Sequence, residues 1–155
     1  MSHPRATLPR MNVILRESVH DDLETFFAHQ AEPEGVRRAD FPARDREAFF
    51  THWETKIFAV PENIAYTVVA DGRIAGNIVS WPQDGRRMTG YWLGEEFWGR
   101  GLGTTAMRLF LELETTRPLY GDVAEGNTAS IRLLERCGFT RQGEPEDGYV
   151  LLMLE

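Results

Sequence analysis

The stretch Phe97–Met107, FWGRGLGTTAM, sets Gly99, Gly101 and Gly103 at alternate positions directly before an apolar run with helical spacing. Backbone without side chains can approach a ligand closely, and a helix start offers unpaired N–H donors with partial positive charge. The pattern therefore predicts a turn that receives a phosphate group. From Gly101 onward Leu102, Ala106, Leu109, Phe110 and Leu113 follow a helical period, and Pro118 limits how far that helix runs.

Three readings of the turn compete. A P-loop is excluded because no Gly-Lys-Ser/Thr closes the segment. Gly101, Gly103 and Ala106 satisfy the dinucleotide pattern G-x-G-x-x-A, but that fingerprint directly follows a first parallel strand. Here the polar connector Glu95-Glu96 intervenes after a series of hairpins. Glycines that only permit a tight strand-to-helix turn are the third reading.

Outward from this segment, the β-branched runs IAYTVVA (64–70) and RIAGNIVSW (73–81) flank Asp71-Gly72, a two-residue hairpin signal. A second turn at PQDGR (82–86), with Pro82 ending the middle strand, leads into MTGYWLG (88–94), so three consecutive antiparallel strands are expected. Upstream, MNVILRES (11–18) reads as a strand. Ser18 then starts a helix with Val19, Leu23, Phe26 and Phe27 on one stripe, which AEPEG (31–35) ends. A second helix over 43–58 carries Phe49, Phe50, Trp53 and Ile57 at three- and four-residue intervals. Downstream, LYGDVA (119–124) is a strand, NTASIRLLERCGF (127–139) a helix capped by Asn127 and closed by Gly138, and YVLLML (149–154) a final strand. The expected order is β-α-α-β-β-β-α-β-α-β-β. That is an α+β, or mixed α/β, fold with a mostly antiparallel sheet and about four helices.

The chain has 155 residues, 42% of them hydrophobic, which suits one domain over 11–155 with residues 1–10 as a flexible tail. With 17 basic and 24 acidic residues the net charge is −7, and no basic block occurs. Nucleic acid and anionic membrane are therefore not expected partners; cationic or neutral ones suit it better. No signal peptide and no apolar run of the roughly 20 residues needed to span a bilayer is seen. The lone Cys137 fits a reducing cytoplasm, the expected location. The four histidines show no metal-ligand spacing, and no metal site is expected.

Two blocks carry a family resemblance. GYWLGEEFWGRGLGTTAM (90–107) and, one strand later, NTASIRLLERCGF (127–139) resemble the paired motifs of the GNAT acetyltransferases. They are most similar to the subgroup of ribosomal-protein N-terminal acetyltransferases, with Trp98 standing where Arg or Gln is commoner in the superfamily. The resemblance implies that WGRGLG wraps the pyrophosphate of coenzyme A. It implies acetyl-CoA as cofactor, a primary amine as acceptor (a protein N-terminus or a small molecule), and a monomer or homodimer. It places Trp92, Leu93 and Gly94 on a strand that splays from its neighbour and exposes backbone groups to pantetheine. Gly99, Arg100, Gly101, Leu102, Gly103 and Thr104 would form the nest on the diphosphate. Arg100 either pairs with phosphate or is solvated, and Trp98 packs the loop. Asn127 is an N-cap, a pantetheine contact, or both.

Many family members carry a tyrosine acid on the later helix, and that position is Leu134 here. Ser130 is the expected substitute acid. Glu95 is the candidate relay for the amine proton, Glu96 a like one, and Glu17 and Asp22 weaker candidates. Cys137 is expected to pack in the core. Beside a peptide N-terminal acetyltransferase, an antibiotic or polyamine acetyltransferase and a non-catalytic acyl-CoA sensor remain as alternatives.

Overall fold

Two Asp-Gly pairs shape the centre of the sheet. The computed structural model describes residues 11–40 and 42–155; the expected tail over 1–10 and Phe41 lie outside the described residues. Strand β2 (Ile64–Ala70) turns into β3 (Arg73–Gln83) through Asp71-Gly72, and β3 into β4 (Arg86–Leu93) through Asp84-Gly85. All four turn residues have positive φ, from 49° to 78°. This is the left-handed pairing that matches the twist of a two-residue hairpin. β1 (Val13–Glu17) adds to β2 antiparallel.

After β4 come α4 (Leu102–Leu113), β5 (Leu119–Ala124), α5 (Thr128–Arg136), the short β6 (Thr140–Arg141) and β7 (Tyr149–Leu154). Among the described residues they complete a seven-stranded sheet ordered β1-β2-β3-β4-β5-β7-β6. Only β4 and β5 run parallel, as the α4 crossover requires. No helix among the described residues is long and apolar enough to cross a membrane.

Between β1 and β2 the chain forms α1 (Leu23–Gln30), α2 (Pro33–Ala39) and α3 (Arg46–His52), which runs on into a π-helical turn, Trp53–Phe58. Helix α2 corrects the expected β-α-α start. Gly35 and the charged Glu34, Arg37 and Arg38 hide any apolar period in it. Its limits are nevertheless chemically marked by Pro33 in the first turn and by Asp40 at φ 50° just past the end. Helix α1 begins later than Ser18. The Ser18 hydroxyl is hydrogen-bonded to Thr67 at 2.8 Å, a short 3₁₀ turn (His20–Asp22) intervenes, and Val19 stays 51% exposed instead of joining the buried stripe. Strand β3 also continues one residue beyond Pro82, because the Asp84-Gly85 turn carries the pairing to Gln83↔Arg86.

The pleat divides the core between two faces. Ile78 of β3 faces α4 and α5 and joins Phe97, Met107, Phe110 and Leu152. Its neighbour Val79 faces the other way and joins Leu23 and Phe26 of α1, Phe49 of α3 and Trp53 of the π-helical turn. Phe110 is fully buried at the centre of the first cluster. Phe110→Ala is therefore expected to lower stability by about 3–5 kcal/mol. Urea unfolding should show this as a lower midpoint at unchanged slope.

Two carboxylates are buried in hydrogen-bonded networks. Asp22 accepts from both terminal nitrogens of the Arg16 guanidinium, Nη1 and Nη2 (2.8 and 2.7 Å), from Val19 N–H (2.9 Å) and from Thr67 Oγ1 (2.7 Å). Glu114 accepts from Ser80 Oγ (2.6 Å), Arg87 Nε (3.1 Å) and Thr116 N–H (2.9 Å). Burial pushes both pKa values up, yet the donated hydrogen bonds outweigh it and hold both below the usual carboxylate value. A depressed folded pKa gives stability that is complete above the unfolded pKa of about 4 and lost as pH falls through the lower folded value. Urea midpoints should thus be level from about pH 7 to 5 and fall below about pH 4. Asp22→Asn with Glu114→Gln should lower the plateau and flatten the acid limb; an unchanged limb would contradict the assignment.

Candidate active site

Strands β4 and β5 stay paired for three residues and then part. Their register is Arg87↔Leu119, Met88↔Tyr120 and Thr89↔Gly121, with no pairing beyond. Gly90 to Leu93 remain bonded to β3 on the other side, so one edge of β4 opens toward a cleft. The splay lies where Trp92, Leu93 and Gly94 were expected to lie beside an opened edge. Trp98 packs the end of the cleft by donating its indole N–H to the Leu93 carbonyl at 3.1 Å.

The chain then turns through a 3₁₀ segment, Glu95–Phe97, into the glycines. Gly99 and Gly101 have φ of 76° and 71°, where a side chain would be strained. Gly101 is the N-cap of α4, and its carbonyl takes the first intrahelical bond, from Thr105 N–H at 3.2 Å. The N–H groups of Leu102, Gly103 and Thr104 therefore have no partner inside the helix. They border a cavity of about 360 Å³, also lined by Tyr91, Trp98 and, from α5, Asn127 and Ser130. Three guanidinium-bearing residues line it as well, Arg38, Arg132 and Arg136, and no carboxylate does among the described residues. Open amides and three arginines together suit a diphosphate.

The other expected residues are placed as follows. Arg100 turns its guanidinium to Met11 Sδ (3.6 Å) and is not among the lining residues. Asn127 Oδ1 accepts from Ser130 N–H at 3.3 Å, so it is the α5 N-cap, at the cavity wall. Leu134 is core, 3% exposed. Cys137 is half-buried against the core, and burial pushes its thiol pKa up, which keeps it protonated.

Glu95 does not reach the cleft as a free base. Its Oε1 accepts from the N–H groups of Glu34 (2.9 Å) and Gly35 (3.3 Å) at the start of α2, and Glu32 Oε1 accepts from Glu95 N–H (3.0 Å) in return. Glu96 pairs with Arg73 at 2.7 Å, Asp22 is committed to Arg16, and Glu17 does not line the cavity. Through Glu95 the unforeseen α2 is fixed to the glycine turn. Gly35 lets it sit on Trp92, where a Cβ would stand 3.0 Å from the indole, and Arg38 lies over the Trp98 ring at 4.3 Å.

Tyr91 is the residue that the sequence did not single out. It stands between Gly90 and Trp92 on the opened stretch of β4, and its hydroxyl donates to Ser130 Oγ at 2.9 Å. Burial, partly offset by that bond, pushes the phenol pKa up to about 12, so it stays protonated at neutral pH. The strand period supplied a signal: adjacent Tyr91 and Trp92 must face opposite sides of the sheet. Accordingly Tyr91 meets α5, while Trp92 donates to the His29 carbonyl at 3.2 Å on the α1 side. Both also line a second cavity of about 810 Å³ under α1 and α3, so the two cavities adjoin at these residues.

A relative in Bacillus subtilis (strain 168), YdaF, carries the provisional name ribosomal N-acetyltransferase. It is 33% identical over 111 residues, 66% of this chain, and the match spans 60% of the relative's own length. Among solved structures, the aminoglycoside acetyltransferase AAC(6')-Ib in complex with coenzyme A superposes with a TM-score of 0.75 at 23% identity, covering 92% of this chain and 93% of that one. RimL, a ribosomal alpha-N-protein acetyltransferase in complex with coenzyme A, superposes with a TM-score of 0.73 at 17% identity over 92% and 93%. These two likenesses concern the fold. The profile of the family described as "Acetyltransferase (GNAT) domain" matches residues 12–140, and the chain belongs to the GNAT acetyltransferase family.

Proposed function

We propose that this protein transfers the acetyl group of acetyl-CoA to a primary amine in a ternary complex. One observation carries the reading: the opened edge of β4 joins a phosphate-suited cavity to a second, acceptor-sized cavity, and the Tyr91–Ser130 hydrogen bond stands at the join. The coenzyme A complexes among the structural neighbours support the same cofactor.

Each part of the site has a task. The N–H groups of Leu102, Gly103 and Thr104 hold the diphosphate, with Gly99 and Gly101 shaping the turn and Arg38, Arg132 and Arg136 neutralising charge. The unpaired edge of β4 at Trp92 and Leu93, ending at Gly94, takes the pantetheine amides as an added strand would, with Asn127 on the opposite wall. When bound, the cofactor supplies an activated thioester. Tyr91 donates to Ser130 Oγ, which leaves the serine's own hydrogen free to point at negative charge developing on the thioester sulfur. As the amine nitrogen–carbonyl bond replaced the carbonyl–sulfur bond, Ser130 would be the catalytic acid to the departing sulfur and the proton released by the amine would restore its hydroxyl, with Tyr91 as its positioning residue, kept protonated by burial. Glu95 acts at one remove, holding α2 and Arg38 against the cleft.

The test is free coenzyme A release from acetyl-CoA with a panel of amines. Turnover is expected; cofactor binding without turnover of any amine would replace the enzyme by an acyl-CoA sensor. Ser130→Ala should lower kcat by about 100-fold with coenzyme A affinity little changed. Tyr91→Phe should lower kcat by about tenfold in the wild-type background and have no further effect beside Ser130→Ala. Additive losses would mean that Tyr91 does not act through Ser130.

A further inference from the structure

Neither of the adjoining cavities carries a carboxylate on its wall among the described residues, yet an amine that becomes an amide has to give up a proton. The strand register brings a carboxylate to their join. Thr89↔Gly121 is the last pair of β4 with β5, and one residue further Asp122 of β5 comes opposite Gly90 of β4. Neighbouring strands lie about 4.8 Å apart and rise about 3.3 Å per residue, so the two Cα atoms stay within about 8 Å as the strands begin to part. Asp122 is thus the first residue of β5 beyond the last pair.

The pleat decides which way it faces. A Cβ on Gly121 would stand 3.0 Å from Leu134 Cδ1 of α5, and Val123 joins the core under α4 and α5, so Asp122 between them faces the opposite side of the sheet. That is the side of Trp92, whose indole meets α1, and of Gly90, which lines the 810 Å³ cavity. Having no side chain, Gly90 leaves this face of β4 open between the cavity and the carboxylate; a Cβ there would meet only Trp81, at 3.3 Å. The Asp122 side chain makes no hydrogen bond or ion pair among the described residues and is open to solvent. Around it on this face stand Tyr120, with Arg86 over its ring at 4.8 Å, and Tyr149 of β7, and α2 brings Arg37 and Asp40 to the end of β5. Burial against the sheet, not a neighbouring charge, raises the Asp122 pKa, whereas donated hydrogen bonds hold Asp22 and Glu114 down. A free carboxylate of raised basicity beside an opened strand edge suits a general base.

Resting on the acetyl-transfer reading above, we infer that Asp122 is the general base of the reaction, taking the proton of the acceptor nitrogen on the α1 side of the opened seam while Ser130 serves the sulfur on the α5 side. The nitrogen lone pair forms the bond to the carbonyl carbon, and the carbon–sulfur bond breaks with its electrons going to sulfur. Nitrogen becomes acidic as its new bond forms and gives one proton to Asp122; sulfur takes one from the Ser130 hydroxyl. Asp122, open to solvent, passes its proton on, and the serine is restored from the same pool, so both side chains end as they began. Because acid and base lie on opposite faces of the sheet, neither can neutralise the other directly.

The experiment measures coenzyme A release with the fastest of leucinamide, kanamycin, spermine and a peptide with a free N-terminus, and coenzyme A binding by calorimetry on the same preparations. Asp122→Asn should lower kcat by about 100-fold with coenzyme A affinity and the urea midpoint unchanged, since the carboxylate has no partner to lose. Asp122→Ala should lose as much, and added small carboxylates should restore its turnover, acetate more than the less basic formate. Glu125→Gln, which removes a like charge three residues on, should leave kcat unchanged. Wild-type turnover in Asp122→Asn would overturn the inference, and so would a loss in Asp122→Ala that neither acetate nor formate repairs, because a merely structural role predicts no rescue. Absence of turnover by the wild-type protein with every amine would instead remove the acetyl-transfer reading itself.

Discussion

The separation of β4 from β5 after three residue pairs is the constraint on which the molecule depends. A sheet that stops pairing leaves N–H and C=O groups without partners, and buried orphans of that kind are costly. Here the opened edge is kept by what wedges into it. The Tyr91 side chain fills the α5 side and is tied to Ser130, and the Trp98 indole satisfies the Leu93 carbonyl. The glycine turn then carries the chain straight into α4, whose unpaired N–H groups face the same opening. A fully paired strand would close the cleft and separate the two cavities that adjoin at Tyr91 and Trp92.

The unopened remainder of the protein supplies rigidity for that opening. Paired Asp-Gly hairpins fix the register of β2, β3 and β4, and the two faces of the sheet are covered by separate apolar clusters. The buried Asp22 network ties β1 to β2, and the Glu114 network ties the end of α4 to β3 and β4. Helix α2 differs: short, polar and fastened mainly through Glu95, Glu32 and the stacking of Arg38 on Trp98. It is stabilised less by apolar burial than by its caps, and it forms one wall of the 360 Å³ cavity.

Charge in this protein is local rather than global. A net charge of −7 argues for cationic or neutral partners, yet the cavities of about 360 and 810 Å³ that adjoin at Tyr91 and Trp92 are lined by cations and by no carboxylate among the described residues, while a cavity of about 420 Å³ beside the first includes Asp40 and Glu125. The two facts are compatible because, apart from the buried Asp22 and Glu114, the acids lie on outer surfaces, where solvent screens them. The arginines and Lys56 border clefts, where apolar walls strengthen their field.

The sequence by itself determined what short-range chemistry encodes. Asp71-Gly72, the alternating and 3.6-residue apolar periods and the spacing of Gly99, Gly101 and Gly103 specified the strands, the long helices and the phosphate-suited turn, and two motifs in order specified the family. Helix α2 stayed hidden because charge and Gly35 masked its period, although Pro33 marked its start. Only the tertiary structure decided which groups face one another. It gave the Glu95 carboxylate to α2, brought Tyr91 to Ser130 across 39 residues of chain, and gathered Arg44, His52 and Lys56 around one cavity. Those outcomes depend on where strands part and which wall a helix covers, and such long-range contacts leave no periodic trace in the local sequence.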